Sequence, residues 1–324
     1  MYKLAIVGAT GLVGRTVLKI LEEKNLPIYE YVFFSSQKSA GSVINFKNKD
    51  YVIRELKEDS FLKEYFDFAV FSAGASTALK YAPIASENGC TVIDNSSAFR
   101  MNNEVPLVVP EVNPWDIKLN KGIIANPNCS TIQSVLPIKA LDTKYTVKRI
   151  IYSTYQAVSG AGRLGIKDLE NKSSNKFPHS IYNNCLPHID TFLENGYTKE
   201  EEKMINETRK ILHKPDLKIT ATCVRVPVLN SHCESINLEF EKEFDIKDIY
   251  STLENFENIT VLDNPEENLY PIPTLVSGKD NVFIGRIRRD YSTKNALNLW
   301  VVADNIRKGA ATNAIQILEK LILK

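Results

Sequence analysis

Cys129 lies in Asn126-Pro127-Asn128-Cys129-Ser130-Thr131, after the short apolar run Gly122-Ile123-Ile124-Ala125 and before an apolar-periodic stretch, Ile132 to Leu141. The pattern predicts a thiol on a strand-to-helix turn. A helix N-terminus at that point favours the thiolate, and nearby backbone N–H groups can receive an oxyanion. The other four cysteines lack this context: Cys90 falls inside an apolar strand, Cys223 and Cys233 in or near strand-like segments, and Cys185 in a polar loop. A thiolate beside a nicotinamide adds to an aldehyde, releases a hydride from the thiohemiacetal and leaves a thioester for water, phosphate or another nucleophile to open. That chemistry needs a base for the hemiacetal proton and cations for an anionic acceptor.

The N-terminus is patterned for such a cofactor. Leu4-Ala5-Ile6-Val7 reads as a buried parallel strand and runs into Gly8-Ala9-Thr10-Gly11-Leu12-Val13-Gly14, with a helical stripe of Val13, Val17, Leu18 and Leu21 behind it. This GxxGxxG variant of the dinucleotide fingerprint allows a tight turn and brings a pyrophosphate to the helix N-terminus. Gly8, Thr10, Gly11, Leu12 and Val13 are the expected contacts. The second strand, Tyr31-Val32-Phe33-Phe34, ends in Ser35-Ser36-Gln37-Lys38-Ser39-Ala40-Gly41. An NAD enzyme places an acid here for the ribose 2′-hydroxyl. Ser36 and Lys38 instead suit a 2′-phosphate, so NADP (NADPH) is expected over NAD. Further strands, Phe68–Phe71 and Cys90–Ile93, flank a helix from Thr77 to Asn88. Their carboxyl ends carry Ser72, expected under the nicotinamide end, and Arg100, expected in the same crevice.

The elements that position these residues make a chain of 324 residues, long enough for two domains. The first half predicts an α/β, Rossmann-type doubly wound parallel sheet. From Lys148 the strands lengthen: Arg149–Tyr155, Leu217–Val226, Glu234–Phe240 and Leu297–Ala303, with helices at Leu164–Asn171, Thr198–Leu212 and Ile246–Asn255, predict an α+β domain. The boundaries expected are 1–127 for nucleotide binding, completed by an amphipathic C-terminal helix at 305–324, and 128–304 for catalysis. A net charge of +1 gives no reason to expect a nucleic-acid or membrane partner, and no apolar run approaches the ~18 residues of a membrane span. An odd cysteine count without regular spacing suits the cytoplasm, and four histidines without HxxH or HExxH spacing suggest no metal.

Taken together and in order, Gly8–Gly14, Asp94-Asn95-Ser96-Ser97-Ala98-Phe99-Arg100, Pro127–Thr131, Tyr155-Gln156-Ala157-Val158-Ser159-Gly160-Ala161-Gly162, the acidic helix from Glu200 to Lys210, and Arg225-Val226-Pro227-Val228 leading to His232 resemble the signature segments of the aspartate-β-semialdehyde dehydrogenase family. The likeness covers essentially the whole chain. It implies reversible conversion of L-aspartate 4-semialdehyde, inorganic phosphate and NADP⁺ to L-4-aspartyl phosphate and NADPH, a step toward lysine (through diaminopimelate), methionine and threonine. It also implies roles: Cys129 carries the acyl group, His232 is the acid/base, and Gln156 orients the intermediate. Arg225 would clamp the substrate carboxylate and Glu200 meet its ammonium group. Arg100 and Lys203, with Asn128 beside them, would bind phosphate, and Ser159, Gly160 and Asn305 would add NADP contacts. The catalytic domain would also serve dimerisation, giving a homodimer or homotetramer.

One departure and several plain alternatives stand beside this. The family often has Arg where this chain has Lys38, which meets a phosphate as a point charge but does not stack on adenine as a guanidinium does. Lys199-Glu200-Glu201-Glu202-Lys203 also reads as a solvated helix face, which leaves open which glutamate meets substrate. His232 also reads as an exposed polar residue, and Arg225 as a strand-surface charge. N-acetyl-γ-glutamyl-phosphate reductase shares the thioester logic but has no free ammonium group to meet. Glyceraldehyde-3-phosphate dehydrogenase would show an acid after the second strand. A non-catalytic dinucleotide-binding protein needs none of Cys129, Gln156, Arg225 and His232 together.

Overall fold

The computed structural model describes residues 1–323 and divides into two compact units, one of residues 1–127 with the C-terminal segment from Ala310, the other of Asn128–Gly309. In the first unit, β1 (Tyr2–Val7), β2 (Ile28–Ser35), β5 (Arg54–Glu55), β6 (Phe68–Phe71), β7 (Thr91–Asp94) and β8 (Ile123–Ala125) form one sheet of order β5-β2-β1-β6-β7-β8. Every pairing in it is parallel. Parallel strands are covered on both faces, which is why Leu4 to Val7 and Phe68 to Phe71 are continuous apolar runs rather than alternating ones. Helix α1 (Leu12–Glu23) buries Val17, Leu18, Ile20 and Leu21 in a core with Leu4, Ile6, Phe33 and Val70. The same core takes Ala314, Ile315, Ile317 and Leu318 of the last helix, α8 (Asn313–Ile322), so the C-terminus completes this unit. Helix α2 (Ala75–Glu87) buries only Ala78, Ala82 and Ala85.

Two details of this unit were not expected. A hairpin, β3 (Val43–Phe46) with β4 (Lys49–Val52), turns on Lys47 and Asn48, both at positive φ. The C-terminal helix expected from residue 305 begins later, as a π-helical stretch at Arg307–Thr312 that gives way to α8.

The second unit is built on a mixed sheet of order β10-β9-β11-β14-β13-β12. Its strands are β9 (Val147–Gln156), β10 (Lys218–Arg225), β11 (His232–Phe240), β12 (Ile259–Val261), β13 (Val282–Asp290) and β14 (Ala296–Ala303). Strand β10 runs parallel to β9, and β11 antiparallel to it. Helix α3 (Cys129–Tyr145) packs on β9, β11 and β14, while α5 (Lys199–Ile211) packs on β10 and α3. Helix α3 is buried almost all round, including Ser130, Thr131, Gln133 and Ser134, the mark of a central rather than a surface helix. The smaller helices are α4 (Gly162–Glu170), α6 (Ile246–Glu254) and α7 (Pro273–Val276). Among the described residues no helix is long and apolar enough to cross a membrane.

Candidate active site

Strand direction collects the site. Gln156 and Arg225 are the last residues of the parallel strands β9 and β10 and stand opposite each other in register. His232 opens antiparallel β11, one residue before Cys233, which pairs with Tyr155. All three side chains therefore come to one end of the sheet, and none is a surface group: Gln156 is 1%, Arg225 5% and His232 0% exposed.

Helix α3 reaches the same cluster with its N-terminus. Asn128 is the N-cap, its Oδ1 accepting from Ser130 N at 2.9 Å and Thr131 N at 3.2 Å, so the helix starts at Cys129, three residues earlier than the apolar pattern suggests. Cys129 is the first helical residue, where the helix dipole favours a thiolate. The cap also uses up the N–H groups of Ser130 and Thr131, so the expected oxyanion donors from that turn are already bonded.

Glu200, in the first turn of α5, is 5% exposed rather than solvated. Its Oε1 accepts from Asn128 Nδ2 at 2.9 Å and from Gln156 Nε2 at 3.1 Å, and its Oε2 accepts from Lys203 Nζ at 3.1 Å. Burial opposes its ionisation, but Lys203, the two amides and Arg225 outweigh that and hold the carboxyl below its usual range. The neighbouring glutamates face elsewhere. Glu201 closes a capping box with Thr198 and accepts from Cys223 N, and Glu202 bonds Asn195 and Asn206. Lys203 also meets Asp190 at 2.7 Å.

The peptide of Ala157 orders both His232 and Arg225. Its N–H donates to His232 Nδ1 at 2.9 Å, and its C=O accepts from Arg225 Nη1 at 2.7 Å. With Nδ1 accepting, the proton of a neutral imidazole sits on Nε2. Burial, reinforced by the Arg225 charge and only partly opposed by Glu200, pulls His232 down to about 3. Burial also lowers Arg225, against the pull of Glu200 and of the Cys129 thiol. His232 Nε2 and Arg225 Nε are buried without a hydrogen-bond partner, which marks a place for a polar ligand. Gly160 leaves that place open: a Cβ there would lie 3.0 Å from Arg225 Nη1 and 3.2 Å from His232 Nε2. Behind Arg225, Asp168 accepts from the main-chain N–H groups of Asn175, Lys176 and Phe177, and the Phe177 ring lies 6.0 Å from the guanidinium. Ser159 Oγ accepts from Asn305 Nδ2 at 3.0 Å, and Asn305 Oδ1 accepts from Ser231 N at 2.9 Å.

In the first unit, the glycine turn is as tight as the fingerprint requires. Gly8 has φ +87°, and a Cβ on it would lie 2.5 Å from Ser72 O; one on Gly14 would lie 2.2 Å from Gly8 O. Gly11 caps α1 without a side-chain hydrogen bond, which suits an anion at the N–H groups of Leu12 and Val13. Thr10 Oγ1 bonds Ser35 Oγ at 2.8 Å, while Ser36 and Lys38 are exposed on the turn that follows β2. Arg100 is 8% exposed and is tied to main chain, with Nε donating to Asn126 O at 2.9 Å and Nη2 to Asn95 O at 3.1 Å. These residues fit a dinucleotide.

Two comparisons with family models bear on this geometry. The semialdehyde dehydrogenase NAD binding domain matches residues 3–120, and the semialdehyde dehydrogenase dimerisation domain matches residues 138–308. The chain belongs to the semialdehyde dehydrogenase family. An aspartate-semialdehyde dehydrogenase from Aquifex aeolicus is 54% identical over 335 residues, 99% of this chain and 98% of its own. Aspartate semialdehyde dehydrogenase II from Vibrio cholerae, solved in complex with ASA, is 42% identical and superposes with a TM-score of 0.96 over 100% of this chain and 99% of its own. The Candida albicans aspartate semialdehyde dehydrogenase solved with NADP is 27% identical, with a TM-score of 0.80 over 99% of this chain and 98% of its own.

In this semialdehyde dehydrogenase fold, two residues touch the Cys129 turn that the sequence reading does not single out. Glu207 Oε2 accepts from Asn128 N at 2.6 Å, buried to 1% exposure. It lies seven residues after Glu200, on the same face of α5. Gly309 is the other: a Cβ on it would lie 3.0 Å from Cys129 Cβ and 3.3 Å from Cys129 O. The helical spacing Glu200, Lys203, Glu207 was a signal available for the first. Nothing in the sequence pattern marks the second.

Proposed function

We propose that this chain is an NADP-dependent aspartate-semialdehyde dehydrogenase of amino-acid biosynthesis, acting through a Cys129 thioester. One observation carries the reading: a helix-start cysteine, a buried carboxylate and two buried, unpartnered nitrogen donors meet at one sheet end in a chain whose relatives bear that name. The Cys129 thiolate adds to the aldehyde carbon, forming a C–S bond. NADP⁺, held by the Gly8–Val13 turn, would supply the hydride acceptor there, and loss of hydride from that carbon with the hydroxyl proton going to His232 leaves the thioester. Phosphate then attacks the acyl carbon, the C–S bond breaks, and aspartyl phosphate leaves.

The chain's own groups supply the rest. His232 Nε2 serves the substrate oxygen as acid/base, and Gln156 orients the acyl group. Arg225 meets the α-carboxylate as a bidentate fork. Glu200 meets the α-ammonium group, exchanging some of its amide bonds for it. We assign Lys203, Asn128 and Arg100 to phosphate. We assign Gly8, Thr10, Gly11, Leu12, Val13, Ser36, Lys38, Ser72, Ser159, Gly160 and Asn305 to the cofactor, with the catalytic unit as the dimerisation unit of a homodimer or homotetramer. The half-exposed Tyr155 on the sheet's outer face, 5.5 Å from Trp300, supports that assembly, and an odd number of cysteines without regular spacing suits the cytoplasm.

Purified protein given aspartate semialdehyde, phosphate and NADP⁺ should produce NADPH, and Cys129→Ala should abolish the signal. Turnover persisting in that variant would sink the thioester. The same assay with NAD⁺, and with Lys38→Ala, measures how far the 2′-phosphate is read. Faster turnover of the N-acetyl-glutamyl analogue than of aspartate semialdehyde would move the assignment to the reductase.

A further inference from the structure

One buried acid has no part in the chemistry above. Glu234 is 0% exposed and lies in the middle of the catalytic sheet, opposite Thr154 of β9 and Val301 of β14. Neither carboxyl oxygen has a hydrogen-bond partner of good geometry, and the Gln133 amide is the one side-chain donor that acts on it. The one fixed charge acting on it, Glu200, is another acid, and its other titratable neighbours, Tyr152, Cys223 and Cys233, are neutral in their ordinary states. Burial drives its carboxyl well above the usual range; the Gln133 amide pulls back against this and Glu200 adds to it. An ionised carboxylate in such a place is far more costly than a neutral acid.

The amide that acts on Glu234 also carries an oxygen that would complement a neutral acid. Gln133 is also 0% exposed, and its Oε1 is an acceptor without a donor. Its Nε2 is already committed, donating to the main-chain oxygen of His232 at 3.3 Å. Gln133 stands one helical turn after Cys129 on α3, and Glu234 two residues after His232 on the same face of β11.

We propose that Glu234 is a positioning residue: as a neutral carboxylic acid it donates its O–H to Gln133 Oε1, and the pair ties His232 to the helix that carries Cys129. One orphaned oxygen on each partner is thereby satisfied at once. The link runs from acid to amide to the main chain of the acid/base, so its loss displaces His232 relative to the nucleophile without touching substrate.

The kinetic part of the test rests on the dehydrogenase reading; the spectroscopic part does not. In the full-length protein at neutral pH, the infrared difference spectrum of wild type minus Glu234→Gln should show the carbonyl stretch of a protonated carboxylic acid. Carboxylate bands in its place overturn the proposal. Glu234→Gln keeps a donor, so kcat should stay within about twofold of wild type, while Glu234→Leu and Gln133→Leu should each lower kcat about tenfold with KM little changed. The double variant should be no worse than either single one, because both break one link. Wild-type kcat in Glu234→Leu, equal losses in Glu234→Gln and Glu234→Leu, or additive losses in the double variant would each overturn it. If Glu234→Leu does not fold, Glu234→Gln and Gln133→Leu decide. A wild type inactive on aspartate semialdehyde would refute the substrate assignment and leave the infrared result standing.

Discussion

At the scale of single residues, the surroundings of Cys129 are more acidic than a thiolate there would suggest. Glu200 holds the side chain of Asn128 and Glu207 holds its main-chain N–H, so two carboxylates from α5 frame the turn before Cys129. Lys203 and Arg225 counter that charge. Glu207 thus fixes the backbone, and its acceptor matters more than its charge. Glu207→Gln should keep most of the activity. Glu207→Leu should orphan a buried N–H, destabilise the fold by about 1–3 kcal/mol and slow alkylation of Cys129 by iodoacetamide. Unchanged alkylation in the folded Leu variant would show that the bond does not position the thiol. Cys129 was legible in the sequence because a strand–turn–helix is local. Glu207 was not, because its partner lies 79 positions away.

At the scale of elements, two glycines keep the site open where any side chain would close it. Gly160 faces Arg225 and His232, and Gly309 faces Cys129. Neither has the positive φ that would oblige glycine, so Ala is acceptable to the backbone and the effect is steric. Gly160→Ala should raise KM for the semialdehyde several-fold, and Gly309→Ala should lower kcat more than it raises KM, both in folded protein by circular dichroism. Kinetics identical to wild type in both would show that neither surface borders the reacting atoms. The choice among Glu200, Glu201 and Glu202 belongs to this scale as well. It depends on how α5 is rotated against β10, which a run of like charges does not encode. Strand β13 was missed for a related reason: Gly285 and Arg286, the latter at φ +51°, interrupt its register with β14, and a basic tail follows. The β3–β4 hairpin turns on Lys-Asn, a weaker turn signal than Asn-Gly. The parallel sheet, by contrast, was legible except for its short charged edge strand β5, since strands buried on both faces must be uniformly apolar.

At the scale of the whole molecule, two fully buried groups pull stability in opposite directions with pH. His232 stays neutral down to about 3, so below the usual histidine range the unfolded chain binds a proton that the folded chain does not, and stability falls as pH drops. Glu234 keeps its proton above the usual carboxylate range, so the unfolded chain loses one that the folded chain retains, and stability falls as pH rises. Between those two ranges, about pH 5 to 6, the slopes cancel. Each group alone is worth up to about 1.4 kcal/mol per pH unit. Urea unfolding of Glu234→Gln should therefore gain on wild type as pH rises through that window, and His232→Asn should lose on it. Parallel curves for all three proteins would show that neither group is perturbed.

The place of α8 in the core of the first unit has a consequence for the order in which the protein is made. The second unit is one unbroken stretch of chain, complete once Gly309 has left the ribosome. The first unit begins synthesis earlier but must wait for the segment from Ala310 onward, and until then the stripe of Val17, Leu18, Ile20 and Leu21 lacks its cover. The half translated first is thus the half finished last, and a nascent chain stalled late in translation carries a sticky, unfinished nucleotide fold that calls for a chaperone.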